Sequence, residues 1–137
     1  MTKDAETIHI ELPISEEYAH LLRLMVSGIA SRMAFGIDEV DDLKIATEEA
    51  YLMAINCCFN PMQKIDFDFS DKELTIIFRD LILPRASLDD NQKKEQDYSI
   101  FIINAVVDEL VAESKNDASD LVILKKVKAV EKNSSPA

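Results

Sequence analysis

Along the chain, apolar positions switch between a period of two and a period near 3.6, and the switches divide it into elements. In residues 7–13, Ile8, Ile10 and Leu12 alternate with polar neighbours, the pattern of a half-buried strand that Pro13 closes. Ser15 is a good N-cap, with Glu16 and Glu17 in the first turn where the helix dipole favours acids. A helical stripe of Ala19, Leu22, Val26, Ile29, Ala30 and Met33 then runs to about Phe35, where Gly36 stops it. Beside it lies a narrower apolar stripe, Leu21, Leu24, Met25 and Gly28. Asp38 is expected to cap a second helix reaching about Phe59, ahead of Pro61. That helix has one small-residue face (Leu43, Ala46, Ala50, Ala54, Cys57) and another of Leu52, Ile55 and Phe59. Apolar over so much of its girth, it should be buried between other elements.

The second half reads as hairpin, loop, helix, hairpin. Residues 64–70 and 73–79 alternate around the turn Ser70-Asp71-Lys72. Residues 81–97, with Pro84 and the polar run DDNQKKEQD, read as loop. Residues 98–108 read as helix through Ile100, Ile103, Ala105 and Val107, and 109–114 with 120–128 as a second hairpin. The expected fold is α+β: a two-layer α/β sandwich, its mixed, mostly antiparallel sheet carrying helices on one face. Residues 1–128 form a single domain in this reading, and 129–137 a disordered tail.

Composition narrows the function. At 137 residues with 47% hydrophobic and 30% charged positions, the chain suits one globular core. A net charge of −11 argues against direct binding of nucleic acid, because the densest basic cluster is only Lys125, Lys126 and Lys128. No apolar run approaches the ~20 residues of a membrane span, and the acidic start, MTKDAETIHIEL, does not resemble an export signal. Cys57 and Cys58, adjacent in sequence, are expected to be reduced thiols in the cytoplasm, and two thiols are too few for a structural zinc.

Chemistry is sparse. The chain has no GxSxG, P-loop, HExxH or CxxC pattern. What draws the eye is EEAYLMAINCC, residues 48–58, where Glu49 shares a helix face with Met53, Ala54 and Cys57. A plain reading makes Glu49 a solvated helix acid; a catalytic base is the other.

The stretch from Glu17 to Phe59, EYAHLLRLMVSGIASRMAFGIDEVDDLKIATEEAYLMAINCCF, resembles the RsbW-like anti-sigma factors, serine kinases built on the GHKL (histidine-kinase-like) ATPase fold. The matching pieces are RLxxSGIASRM on the first helix and DEVDDLKIAxxEA at the start of the second. The resemblance implies that Glu49 stands at the base position of an E-A-x-x-N-A-x-x-H motif. Met53 then stands where an asparagine holds Mg²⁺, and Cys57 where the histidine stands. A thioether is a poor ligand for so hard a cation. Asn56 lies about 60° off that direction on a 3.6-residue helix, so neither it nor Asn60 is expected to replace the missing ligand.

Two further family elements are altered. The Asp-x-Gly that reads adenine is Asp80-Leu81-Ile82, keeping only the acid. The glycine-rich turn before the last helix, whose backbone cradles phosphates, falls on QDYSIF, residues 96–101, without a glycine. The segment Leu81–Glu95 is also short for a family lid over nucleotide. Joint loss at three places implies a pseudokinase that needs no cofactor and works in bacterial transcription regulation by partner switching. Its implied partners are a sigma factor or a STAS-domain anti-anti-sigma protein, with a homodimer, or a heterodimer with a kinase paralogue, also expected. His20 and Arg23 on the first helix are the candidates for partner contact. The rival expectation is a divergent, active serine kinase that uses Mg-ATP with Glu49 as base.

Overall fold

The computed structural model describes residues 5–58, 60–82, 88–115 and 117–128. The expected tail (129–137), Phe59 and the part of the expected loop at 83–87 lie outside the described residues.

The elements are β1 (Glu6–Pro13), a 3₁₀ turn (Glu16–Tyr18), α1 (Ala19–Ser31), α2 (Ile37–Ile55), β2 (Met62–Phe69), β3 (Glu73–Leu81), α3 (Asp90–Val106), β4 (Glu109–Lys115) and β5 (Ala118–Lys126). The strands form one five-stranded sheet in the order β1-β2-β3-β5-β4, and all four pairings are antiparallel. Register puts Ile65 opposite Phe78, Phe67 opposite Ile76, and Ile76 opposite Ile123, so these buried side chains share one face. They form a single core with Leu22 and Val26 of α1, Leu43, Ala50 and Tyr51 of α2, and Ile103 of α3. The result is the expected α+β two-layer sandwich, consistent with a GHKL-like fold. No helix among the described residues is long and apolar enough to cross a membrane.

Helix α2 is the middle helix, packed on α1 along one side and on α3 along the other. Its small residues Ala46, Ala50 and Ala54 are fully buried, which lets it sit this close to its neighbours. Its start differs from expectation. Gly36, not Asp38, is the N-cap: its N–H donates to Glu39 Oε1 at 3.0 Å, and Asp38 lies in the first turn. Its end differs too, because the helix stops at Ile55, and Asn56 caps it by donating from Nδ2 to the Leu52 carbonyl at 3.1 Å. Cys57 and Cys58 therefore follow the helix. The Cys57 carbonyl accepts from the Ile82 N–H at 2.8 Å, and Cys58 bridges Leu81.

The larger correction concerns α3. It begins at Asp90, inside the segment expected to be loop. Asp89 accepts from the Gln92 N–H at 2.7 Å, while Gln92 Oε1 accepts from the Asp89 N–H at 3.0 Å, a reciprocal cap. The far end of α3 is held by Lys125, which reaches from the inner face of β5. Its Nζ donates to the Val106 carbonyl at 2.7 Å and lies 3.8 Å from Asp42 of α2. A cation at a helix C-terminus also meets the negative end of the dipole. Lys125→Met keeps the stem but leaves that carbonyl unpaired, so urea unfolding should show a loss of about 1–3 kcal/mol.

Candidate functional site

The acid pair that opens EEAYLMAINCC divides. Glu48 turns toward α1, where its Oε2 lies 3.3 Å from Arg23 Nε; the contact is ionic rather than a directed hydrogen bond. Glu49 turns the other way and accepts from the Ser99 hydroxyl of α3 at 3.0 Å. Adjacent residues on a helix point about 100° apart, and with a helix on each side of α2 each carboxylate finds a different neighbour.

Between α2 and α3 lies a cleft of about 470 Å³. Glu49, Leu52, Met53, Asn56 and Cys57 line one wall, Gln92, Glu95, Gln96, Tyr98 and Ser99 the other, with Glu16 and Leu88 at the ends. Met53 is nearly buried in this wall, one turn after Glu49, as the motif requires. Cys57 keeps its place on the same face although the helix has ended. Burial, and secondarily the neighbouring Cys58, push the Cys57 thiol up, so it presents a neutral S–H. Asn56, the helix cap, also lines the cleft, beside the wall that Met53 and Cys57 form.

The charge of the cleft is one-sided. Glu16, Glu49 and Glu95 face it, and no lysine or arginine is among its described lining residues. Lys93 and Lys94 belong to α3 but do not line it. Residues 96–101, expected to replace a turn before the last helix, lie within α3 instead. Their backbone N–H groups are therefore in position to serve the helix's own hydrogen-bond ladder.

Asp80 stands apart from the cleft. Its backbone has φ 60, its N–H donates to Asp120 Oδ1 at 3.1 Å, and its half-exposed carboxylate lies 3.9 Å from Lys115. It belongs to a row of charges on the outer face of the sheet. His9 contacts Asp66, Arg79 Nη2 lies 2.7 Å from Asp66, Arg79 Nη1 donates to Asp120 at 2.9 Å, and Lys115 lies 2.9 Å from Asp120. Of the first-helix candidates, His20 is exposed and Arg23 is tied to Glu48. The structure brings neither into the cleft. Glu16, Glu95 and Ser99, which complete the cleft with Glu49, are not marked by any motif in the sequence; Glu16 comes from the 3₁₀ turn and the other two from α3, and nothing local marks their convergence on α2.

No family model matches the chain. Individual proteins do. Serine-protein kinase RsbW of Bacillus subtilis is 32% identical over 114 residues, covering 80% of this chain and 69% of the relative. The protein of the same name from Bacillus velezensis is 31% identical over the same shares, and that from Halalkalibacterium halodurans is 27% identical over 88% of this chain and 83% of its own. Identity at that level over most of both chains shows that this chain belongs to the RsbW serine-protein kinase family.

Proposed function

We propose that this protein is an anti-sigma regulator that works by protein–protein binding and has given up ATP. Its partners in this reading are a sigma factor, a STAS-domain anti-anti-sigma protein, or both, met in the cytoplasm. The observation that carries it is the lining of the α2–α3 cleft: Glu16, Glu49 and Glu95 with Met53 at the metal position and no described cation. A nucleotide's phosphates bring several negative charges, and like charges in a partly desolvated cleft repel. The ion that would normally offset them meets a thioether and a neutral thiol. Ser99 already occupies Glu49, and no glycine stands in α3 to let phosphate approach the backbone.

The expected result is that millimolar Mg-ADP leaves the melting temperature unchanged. A site at 100-fold above its Kd would add about 2.7 kcal/mol, which is easily seen. A magnesium-dependent rise saturating at micromolar nucleotide overturns the proposal.

Asn56 supports a second reading, an active divergent kinase, since it lines the cleft and it is its Nδ2, not its hard oxygen, that the Leu52 carbonyl takes. Under that reading Glu49→Gln abolishes transfer of labelled phosphate to a serine of a STAS-domain partner. Under the first reading there is no transfer to abolish.

A further inference from the structure

We propose that the α2–α3 cleft receives a lysine- or arginine-bearing, otherwise apolar segment of a protein partner. This rests on the reading that protein contacts have replaced nucleotide. The cleft is of ligand-binding size, about 470 Å³. Leu52, Met53 and Cys57 give it an apolar side, and the three carboxylates come from three elements: Glu16 from the 3₁₀ turn, Glu49 from α2 and Glu95 from α3. Carboxylates along one exposed helix face would be ordinary solvation. Here they converge on one space, and none of them has an ion-pair partner among the described residues.

The chemistry of the occupant follows from their spacing. No group of His, Cys, Asp or Glu among the described residues is arranged to hold a metal ion, so the acids surround a volume rather than a point. A long cationic side chain, with its apolar stem and charged tip, fits such a volume. Beyond the cleft, Tyr98 is 63% exposed at its edge and Phe101, one turn on along α3, is 70% exposed. Exposed aromatics are what protein interfaces use as anchors, and the Tyr98 ring can face a cation. A small organic cation would leave Phe101 uncovered, which favours a peptide segment.

A direct test titrates the ¹⁵N-labelled protein with a short acetylated, amidated peptide carrying two arginines among leucines. The control peptide replaces both arginines with citrulline, which keeps shape and removes charge. Amide shifts are expected in residues 49–57 and 92–99, with binding about 10-fold weaker for the citrulline peptide and weaker in high salt. Glu16→Gln/Glu95→Gln should weaken it by a similar factor. Glu109→Gln/Glu113→Gln on β4, an equal change of net charge, should not. Equal affinity for the two peptides, equal effects of the two double variants, shifts confined to other surfaces, or no binding at millimolar peptide each overturns the proposal. A parallel Mg-ADP titration separates the two readings. Nucleotide shifts in the cleft sink the loss of ATP itself, whereas silence to both ligands sinks only the basic segment.

Discussion

Asp120→Ala will destabilise the protein by about 1.5–3 kcal/mol in urea at neutral pH, because it removes charge-assisted hydrogen bonds around one buried carboxylate while Arg79 and Lys115 keep access to water. The Asp120 side chain is only 2% exposed and takes Arg79, Lys115 and the Asp80 N–H at once. Arg79 keeps Asp66, so part of the row survives, but the Asp80 backbone loses the acceptor that holds it at φ 60. A non-glycine residue there costs about 1–2 kcal/mol against ordinary conformations. Asp120→Asn, which keeps an oxygen for that N–H, should recover part of the loss.

The same row sets an acid limit. Burial pushes the Asp120 carboxyl up, but hydrogen bonds from Lys115, the Asp80 N–H and Arg79 outweigh it and hold it below the usual range. Asp66 is likewise held low, against burial, by His9 and Arg79. A folded carboxyl held below its unfolded value stabilises fully above the unfolded value, about pH 4, and loses that contribution as pH falls through the folded one. Unfolding midpoints should therefore be flat from about pH 5 upward on this account and drop on acidification. Asp120→Ala should flatten that drop, and an unchanged acid slope would remove Asp120 from the explanation.

Much of the fold is legible along the chain because its core is written in clean periods. Ile65, Phe67, Leu74, Ile76 and Phe78 alternate, and all five are fully buried. The start of α3 does not show in the hydrophobic pattern because its first two turns, DNQKKEQ, carry no apolar stripe: exposed on most sides, they need none. The signal was present as Asp89 and Gln92, a capping pair spaced by three. At α2 the acidic run hid the cap, since Glu39 reaching back to Gly36 leaves Asp38 with nothing to do there. Within the site, the sequence spaces Glu49 and Met53 one turn apart on α2, and both line the cleft. The opposite turns of Glu48 and Glu49 do not show in the sequence, because they depend on which helix lies on which side of α2. Likewise Asp66, Arg79 and Asp120 each sit at an outward position of their strand, but only the register makes them one row.

Tyr51 ties that core to the cleft, and its loss should be the other large effect. Tyr51→Ala empties the largest fully buried side chain of the core, at a cost of about 3–5 kcal/mol. Tyr51→Phe should cost only about 1–2 kcal/mol, because it removes a hydroxyl lying 3.0 Å from the carbonyls of both Pro13 and Ser15. Burial is the main cause that pushes this phenol up, against the Ser15 hydrogen bond. Its contribution to stability is complete below about pH 10 and is lost as pH rises through the raised folded value. What makes the conservative variant informative is location. The two carbonyls belong to the turn that leads into Glu16, so the hydroxyl of α2 sets where one of the three cleft acids stands. Tyr51→Phe should therefore speed amide exchange at Glu17 and Tyr18 by about 10-fold while amides in the middle of α2 keep their protection, since local opening follows the local contacts. Equal loss in both places would make Tyr51 a packing residue alone, and the position of Glu16 would need another anchor.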